Sequence, residues 1–510
     1  MVDPSYTPID EVQKIHASLQ ASFKSGKARD IKYRKHQLLQ LAYLLKDNKD
    51  RFNEAAKQDL GRSYAENEIL ELYVSLEQIK YIFDNFEKWT KPESVELSIY
   101  FGARPRIRKE PKGVVLIFVP FNYPIMLLMS PLAGAIAAGN AACVKVSELL
   151  PATSSLLVEL FPKYLDPSLY CVVNGDVAVS TKLLELPWDH ILYTGSGRVG
   201  KIVAEAAAKH LTPITLELGG KCPTIVDPRV NLKVAAKRIL WGRTSNAGQT
   251  CVAPDYVLIP KDGEEDFIAA LKETYLEFYP KGTKEPGTIA RLPNRGNFDR
   301  VKRLLDDTKG TVVLGGDTDR ETKYVAPTIV RDVRFDDSLM SEEIFAPILP
   351  IVPVNDFDEA IEFINARDHP LALYIFTDDS KLKEKVFSNT RSGSCVCNEV
   401  VLQIPTPGLP FGGFGASGNG GYHTGKYSFD IFTHQRSTLT MPNWMEIALA
   451  ARYPPFSDKK SRMVESLSSP SFPPRDSVLN PRGWWRKWVV ACLTLGVSLL
   501  WAQRRKLIAH

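Results

Sequence analysis

Cys251 lies in Gly248-Gln-Thr-Cys-Val-Ala-Pro254, and Glu217 heads Glu217-Leu-Gly-Gly-Lys221 a short way upstream. A thiol in a Gly- and Thr-rich turn can approach a carbonyl closely. A carboxylate on a second glycine-rich segment can activate a thiol or a water. Asn122, in Pro120-Phe-Asn-Tyr-Pro124, is a third candidate. A neutral amide stabilises a developing oxyanion without competing for a thiolate. Its other reading is a turn-forming residue before Tyr-Pro. A free cysteine, with a pKa of roughly 8.5, is only a few per cent ionised at neutral pH. The sequence around Cys251 offers backbone N–H groups for its activation, not an adjacent His.

These side chains need a rigid frame, and the chain alternates between strands and helices. Residues up to about Trp89 read as helical, with Leu38, Leu41, Leu44 and Leu45 at helical spacing and a second run from Glu66 through Phe86. Gly113–Val119 is a short, nearly all-apolar run closed by Pro120, as expected of a strand buried on both faces. An apolar helix follows from about Ile125 to Ala138, ending at Gly139-Asn140. The strand Ala142–Val146, a helix around Ser154–Tyr164, the strand Tyr170–Val173, a helical Lys182–Leu186 and the strand His190–Tyr193 come next. Such alternation implies right-handed crossovers and a parallel sheet covered on both sides. A second α/β region runs from near Leu216 to about Gly415.

The turn Thr194-Gly-Ser-Gly-Arg-Val-Gly200 follows the strand His190–Tyr193, with a helix expected from Lys201 onward. A glycine-rich turn between strand and helix lets backbone N–H groups approach a phosphate at the positive end of the helix. Gly195, Gly197 and Gly200 satisfy G-x-G-x-x-G, a pattern that plain tight turns also satisfy.

The motifs around Cys251, Glu217 and Asn122, taken together and in this order, resemble the NAD(P)-dependent aldehyde dehydrogenase superfamily. The resemblance covers roughly Asp10 to Pro442. The stretch from Pro410 to Gly418, with Tyr422-His-Thr-Gly-Lys-Tyr-Ser-Phe429, looks most like the class 3 and fatty-aldehyde branch. It implies a Rossmann-type cofactor domain (residues 1–91 and 107–213) and an α/β catalytic domain (214–420). A bridging, oligomerising segment (92–106 and 421–441) would pair subunits into a homodimer. The resemblance makes Cys251 the nucleophile, Asn122 and the Cys251 backbone N–H the oxyanion donors, and Glu217 the base that hydrolyses a thioester after hydride has passed to the nicotinamide. Branches that pass the acyl group to coenzyme A generally lack this Glu, so its presence favours a carboxylate product. In the family, the residues matching Lys145 and Glu148 of Val144-Lys-Val-Ser-Glu148 contact the adenosine ribose. Val146 stands where Pro is common. The competing reading of the pair is a solvated helix start capped by Ser147. The family turn Phe-Thr-Gly-Ser-x-x-x-Gly matches Gly195, Ser196 and Gly200, and the middle glycine is not essential there. In Ser341-Glu-Glu-Ile-Phe-Ala-Pro347 the matching positions are Glu343, for the nicotinamide ribose, and Phe345, beside the nicotinamide. Ala346 replaces the common Gly, and Phe121 the common Trp. Glu148 facing a 2′-hydroxyl favours NAD, while Lys145 beside it leaves NADP open. His423 reads as structural, with substrate or interface contact as the alternative.

The net charge is +5 over 510 residues, but six basic residues and no acid lie from Ser477 to the end, so the body is nearly neutral. That gives no basic face for nucleic acid. Seven cysteines without disulfide-framework or metal-ligand spacing fit a reducing compartment, and no metal set is expected. Cys395-Val396-Cys397 reads as part of a buried strand. Residues 442–483 are Pro- and Ser-rich and read as an extended linker. Within 484–503, Trp488–Ala502 carries no charge. As a helix it spans about 22 Å, short of the ~30 Å hydrocarbon core. Trp484, Trp485, Trp488 and Trp501 nevertheless suit two interfaces, and Arg486, Lys487, Arg504 and Arg505 can snorkel.

The expectation is therefore a tail-anchored dehydrogenase with a cytosolic catalytic domain, oxidising medium- and long-chain aliphatic, lipid-derived aldehydes. The endoplasmic reticulum is favoured, with the mitochondrial outer membrane and peroxisome as alternatives. The competing functions are a broad-specificity aldehyde or semialdehyde dehydrogenase and a catalytically silent, membrane-tethered scaffold.

Overall fold

The computed structural model describes residues 6–95, 102–468, 472–473 and 475. The stretch 484–503, read as a membrane anchor, lies outside these. Among the described residues no helix is long and apolar enough to cross a membrane.

Among the described residues two compact units emerge, one within Met1–Glu93 and Ile107–Arg436, the other within Ser94–Arg106 and Ser437–His510. The first holds two large sheets. One has six strands in the order Gly418–Asn419, Ile214–Glu217, His190–Thr194, Val114–Phe118, Ala141–Lys145, Tyr170–Val173. The last five are parallel, and every residue of Val114–Phe118 and of Ala141–Lys145 is buried. Residues buried on both faces explain the unbroken apolar runs. The helix Met126–Ala138 is buried along its whole length and stops at Gly139, whose φ of 92° few other residues adopt. Asn140 then fastens the corner, accepting from the Gly113 N–H at 2.9 Å and donating to the Phe432 carbonyl at 3.0 Å. The helices Ile9–Lys24 and Ile31–Asp47 contribute Val12, Leu19, Leu38, Leu41 and Leu44 to the same core.

Strand order reverses around Val114–Phe118: the chain moves outward to Tyr170–Val173, then returns to His190–Thr194 on the other side. The crevice beyond the C-terminal ends of these two strands is where open α/β sheets bind ligands. The turns that leave them carry Asn122 and Gly195. Gly418–Asn419 pairs antiparallel to Leu216–Glu217 and so brings a distant segment beside Glu217.

The second sheet orders Thr311–Leu314, Thr328–Arg331, Ile348–Val354, Tyr256–Pro260, Pro223–Val226, Ala372–Phe376, Ser394–Cys397. All its pairings are parallel except the first, Thr311–Leu314 with Thr328–Arg331. Ser394–Cys397 is an edge strand, so Cys395 and Cys397 are half-buried rather than enclosed.

The second unit corrects one expectation. Asp458–Ser468 is helical, inside the stretch read as an extended linker. Its prolines flank the helix, at 454, 455 and 470, and the run between holds Lys, Arg, Met, Glu and Leu, all good helix formers.

Helix Met126–Ala138 packs against Gly425–Ile431 at Gly134, where a Cβ would come within 2.0 Å of Ser428 Oγ and 2.7 Å of its backbone carbon. Gly134→Ala is expected to lower stability by about 1–3 kcal/mol, the usual cost of overpacking. Urea denaturation of the variant checks this, and Ser428→Gly should return only part of the loss because the backbone contact persists.

Candidate active site

Glu217 ends its strand, Asn122 sits in the turn after Val114–Phe118, and Cys251 follows the short helical turn Ser245–Gly248. Three successive residues of that turn are left-handed: Asn246 (φ 51°), Ala247 (φ 53°) and Gly248 (φ 71°). A Cβ on Gly248 would stand 2.4 Å from the Ala346 carbonyl oxygen. Two non-glycine residues in this region store strain, of order 1–3 kcal/mol each, so the surroundings must hold the turn.

Buried polar groups do so. Arg62, wholly buried, pairs with buried Glu71 and donates to the Asn122 carbonyl at 2.6 Å, Asn246 Oδ1 at 2.7 Å and Asn67 Oδ1 at 3.2 Å. Glu71 Oε2 accepts the N–H groups of Ile125 (2.7 Å) and Met126 (3.0 Å), and Glu66 accepts that of Asn246 (2.7 Å). Asn122 Nδ2 donates to the Gln249 carbonyl at 3.0 Å, and Tyr123 bonds Thr250 at 2.7 Å. One guanidinium thus ties the Asn122 turn to the Cys251 turn. None of Arg62, Glu71, Asn246 or Glu66 was picked out from the sequence. Only the packing shows these polar side chains turned inward.

Burial pushes the Cys251 thiol above its ordinary range, and the charges of Glu343 and then Glu217 push the same way, against the N–H groups of Cys251 and Val252. Burial also holds Glu217 well above the usual carboxylate range, opposed by the Gly413 N–H. Glu343 rises to about 8 through burial and Asp255, against the Gly220 N–H, Lys221 and Arg243. At rest the pocket therefore favours neutral acids around a protonated thiol. Glu343, expected only at the cofactor, lies within electrostatic reach of Cys251. Its carboxylate rests where a side chain on Gly219 would be, 2.3 Å from the ideal Cβ position.

The segment bearing Glu343 and Phe345 is strapped down. Lys221 pairs with Asp255 and donates to the Leu339 and Glu342 carbonyls at 2.7 and 3.0 Å. Arg300 donates to the Glu343 and Ile344 carbonyls at 3.1 and 2.8 Å, and Arg243 bonds Asp255 and the Ala346 carbonyl. Phe345 has a left-handed backbone (φ 51°), and its ring meets Phe121 edge-on at 5.9 Å. Lys221 belongs to a motif the sequence had flagged, but its role as a strap was not visible there.

At the other end of the crevice, Lys145 is the last residue of its strand and is buried, not part of a solvated helix start. Its Nζ donates to the Val146 carbonyl at 2.6 Å and to partly exposed Glu148 at 3.3 Å. Burial lowers its pKa, and Glu148 opposes that. The helix expected from Lys201 begins at Gly197, with Ser196 Oγ accepting the Val199 N–H. Two glycines of the motif serve packing. A Cβ on Gly195 would strike Tyr193 Oη at 2.3 Å, and one on Gly200 would meet Leu218 at 2.9 Å. The Gly195 N–H is already bound to the Glu217 carbonyl at 3.0 Å. Open space lies at Gly197, the middle glycine, so a ligand phosphate has room at the start of the helix. A buried cation beside a partly exposed carboxylate, a helix start with open space at Gly197 and an aromatic pair at the far end form a set that fits a dinucleotide.

The aldehyde dehydrogenase family model matches residues 5–438. The chain belongs to the aldehyde dehydrogenase family. It is 44% identical over 443 residues to aldehyde dehydrogenase family 3 member A2 of Rattus norvegicus, covering 87% of this chain and 91% of that protein. To family 3 member B1 of Homo sapiens it is 44% identical over 447 residues, covering 88% and 95%. The substrate-bound Staphylococcus aureus AldH superposes with a TM-score of 0.86 at 39% identity, over 89% of this chain and 98% of that one. This aldehyde dehydrogenase is accordingly an NAD(P)-dependent oxidoreductase of the class 3 type. Among its described residues no cluster of His, Cys, Asp and Glu is arranged to hold a metal.

Because Arg62 and Glu71 hold the Asn122 and Cys251 turns from a dry interior, Arg62→Met is expected to cost about 3–5 kcal/mol by stranding Glu71. Chemical denaturation checks it, and a loss under 1 kcal/mol would mean the turns are held by something else.

Proposed function

We propose that this aldehyde dehydrogenase oxidises medium- and long-chain aliphatic aldehydes to carboxylic acids at a membrane surface, through a thioester on Cys251. The observation that carries the chemistry is the convergence of Asn122, Cys251 and Glu217 at one end of the crevice. Cys251 Sγ adds to the aldehyde carbon, and the oxygen turns anionic where Asn122, with one amide N–H still free of Gln249, and the Cys251 backbone N–H can donate to it. A bound nicotinamide dinucleotide supplies the hydride acceptor for oxidation of that adduct. Lys145 and Glu148 are proposed to hold its adenosine ribose, and Ser196 with the helix start its phosphates. Gly195 and Gly200 allow the close packing there, and Glu343 and Phe345 attend the nicotinamide end. Glu217 then takes a proton from water as the water attacks the thioester. Residues 92–106 and 421–441 are proposed to join two copies of the chain.

The substrate class rests on the resemblance of Tyr422–Phe429 to the fatty-aldehyde branch and on the uncharged stretch Trp488–Ala502. A lipid-derived aldehyde partitions into a bilayer, and tethering raises its effective concentration at the enzyme.

Cys251→Ala is expected to abolish turnover while NAD still binds. In Glu217→Gln a single-turnover burst of NADH should persist while steady-state turnover falls about 100-fold or more. Because the Glu217 pKa is raised, its basic form grows as pH climbs, so thioester hydrolysis should accelerate with pH in the parent and lose that rise in Glu217→Gln. Rapid-quench measurement of both steps across pH checks this; loss of the burst itself would reassign Glu217 to activation of Cys251.

Full-length protein is expected to stay in the membrane pellet through a carbonate wash and to leave with detergent. A chain ending near Ser477 should be soluble, oxidise short aldehydes at the parent rate and act poorly on long aldehydes in vesicles. Release by carbonate alone would remove the anchor, and with it the main support for a lipid substrate.

A further inference from the structure

His423 is buried, 2% exposed, and neither ring nitrogen makes a hydrogen bond. Glu217 is equally buried, and neither carboxylate oxygen has a partner at full hydrogen-bond geometry, the Gly413 N–H being its nearest donor influence. His423 Nε2 and Glu217 Oε2 face each other at 3.8 Å. Two unsatisfied polar groups in one dry pocket are expensive, and each is the other's available partner.

The surroundings fix the imidazole. The His423 N–H donates to the Phe411 carbonyl at 3.1 Å, its carbonyl accepts Ser130 Oγ at 3.2 Å, and Phe411 lies against the ring, with centroids 5.3 Å apart. Space around the carboxylate is kept by Gly412, where a Cβ would meet Glu217 Oε1 at 2.7 Å. The last torsion of a glutamate is soft, so a small rotation of Glu217 closes the gap to a direct hydrogen bond.

We propose that His423 is the positioning residue and proton partner of Glu217, holding its carboxyl toward Cys251 and accepting its proton when water attacks the thioester. The proposal rests on the reading of Glu217 as the hydrolytic base. Burial lowers His423 to about 4 and holds Glu217 well above the usual carboxylate range, so burial favours the uncharged form of each at rest. Among the described residues Glu217 is the ionisable group within ion-pair distance of His423, and the Cys251 thiol lies within electrostatic reach of Glu217. Transfer of the carboxyl proton to Nε2 leaves a carboxylate without losing a proton to solvent. That carboxylate takes one hydrogen of the water while the oxygen bonds the thioester carbon. The carbon–sulfur bond then breaks with its electron pair on Cys251. One proton of the pair returns to the sulfur, restoring the thiol, the acid and the neutral imidazole, and the remaining hydrogen leaves with the carboxylic acid.

The test uses detergent-solubilised full-length enzyme with NAD and hexanal, separating the NADH burst from thioester hydrolysis. His423→Phe should leave the burst within about twofold and slow hydrolysis 10- to 100-fold. Its hydrolysis rate should keep falling below neutral pH where the parent levels off. His423→Gln, which can bond Glu217 but cannot carry its proton, should recover part of the rate and none of the low-pH plateau. In a Glu217→Gln background, His423→Phe should add no further loss. Equal slowing of burst and hydrolysis, an unmoved pH profile, or additive losses would each overturn the proposal. If Glu217→Gln hydrolyses normally, Glu217 is not the base and the proposal falls with it. If Glu217→Gln is slow and both His423 variants are normal, only the His423 role falls.

Discussion

The buried pair of Arg62 and Glu71 is the constraint on which the rest of the active site depends. Taking a guanidinium and a carboxylate out of water costs several kcal/mol per ion, recovered through their mutual attraction and the hydrogen bonds that satisfy their remaining donors and acceptors. Here all but Arg62 Nε are used, on Asn67 and on the two turns that carry Asn122 and Cys251. The strained, left-handed run Asn246–Gly248 survives because Arg62 holds the Asn246 side chain and Glu66 its N–H. A network this dry has few alternatives of similar energy, so Asn122 and Cys251 are set relative to each other before any substrate arrives.

The same dryness sets the protonation problem. Glu217, Glu343 and Cys251 share one low-dielectric pocket, and like charges at short range cannot all ionise. Each anion formed raises the cost of the next. On the proposed route a thiolate is therefore favoured when positive charge enters, and a basic Glu217 when the sulfur has become a neutral thioester. Under the proposed mechanism electrostatics orders the two steps, with negative charge first on sulfur and then on the carboxylate.

The sequence reported well where chemistry and periodicity coincide. The buried strand Val114–Phe118, the helix Met126–Ala138 with its Gly139 stop and the succession of parallel strands were all legible because apolar runs and glycine punctuation are local signals. Helix starts were less legible. Gly197 opens a helix four residues before the expected Lys201, since a glycine-rich string reads as a turn when nothing shows that Ser196 caps it. Long-range polar partners were not legible at all. Arg62 and Asn246 are 184 positions apart, and nothing in either neighbourhood announces the other. His423 carried a family resemblance but no sign that it would face Glu217, because that meeting is made by Gly418–Asn419 pairing with Leu216–Glu217.

The glycines show why a motif is weaker than the contact behind it. Gly195 and Gly200 match the dinucleotide pattern, yet their missing side chains are filled by Tyr193 and Leu218 of the protein itself. A phosphate could not use that space. What remains for a ligand is the helix start at Gly197, whose free N–H groups and dipole attract an anion without any glycine-specific geometry. Gly219 and Gly412 lie outside the pattern, and each makes room for a carboxylate, Glu343 in one case and Glu217 in the other. A Cβ at either would displace an acid from its place beside Cys251, so the glycines nearest the chemistry are those that no phosphate motif would single out.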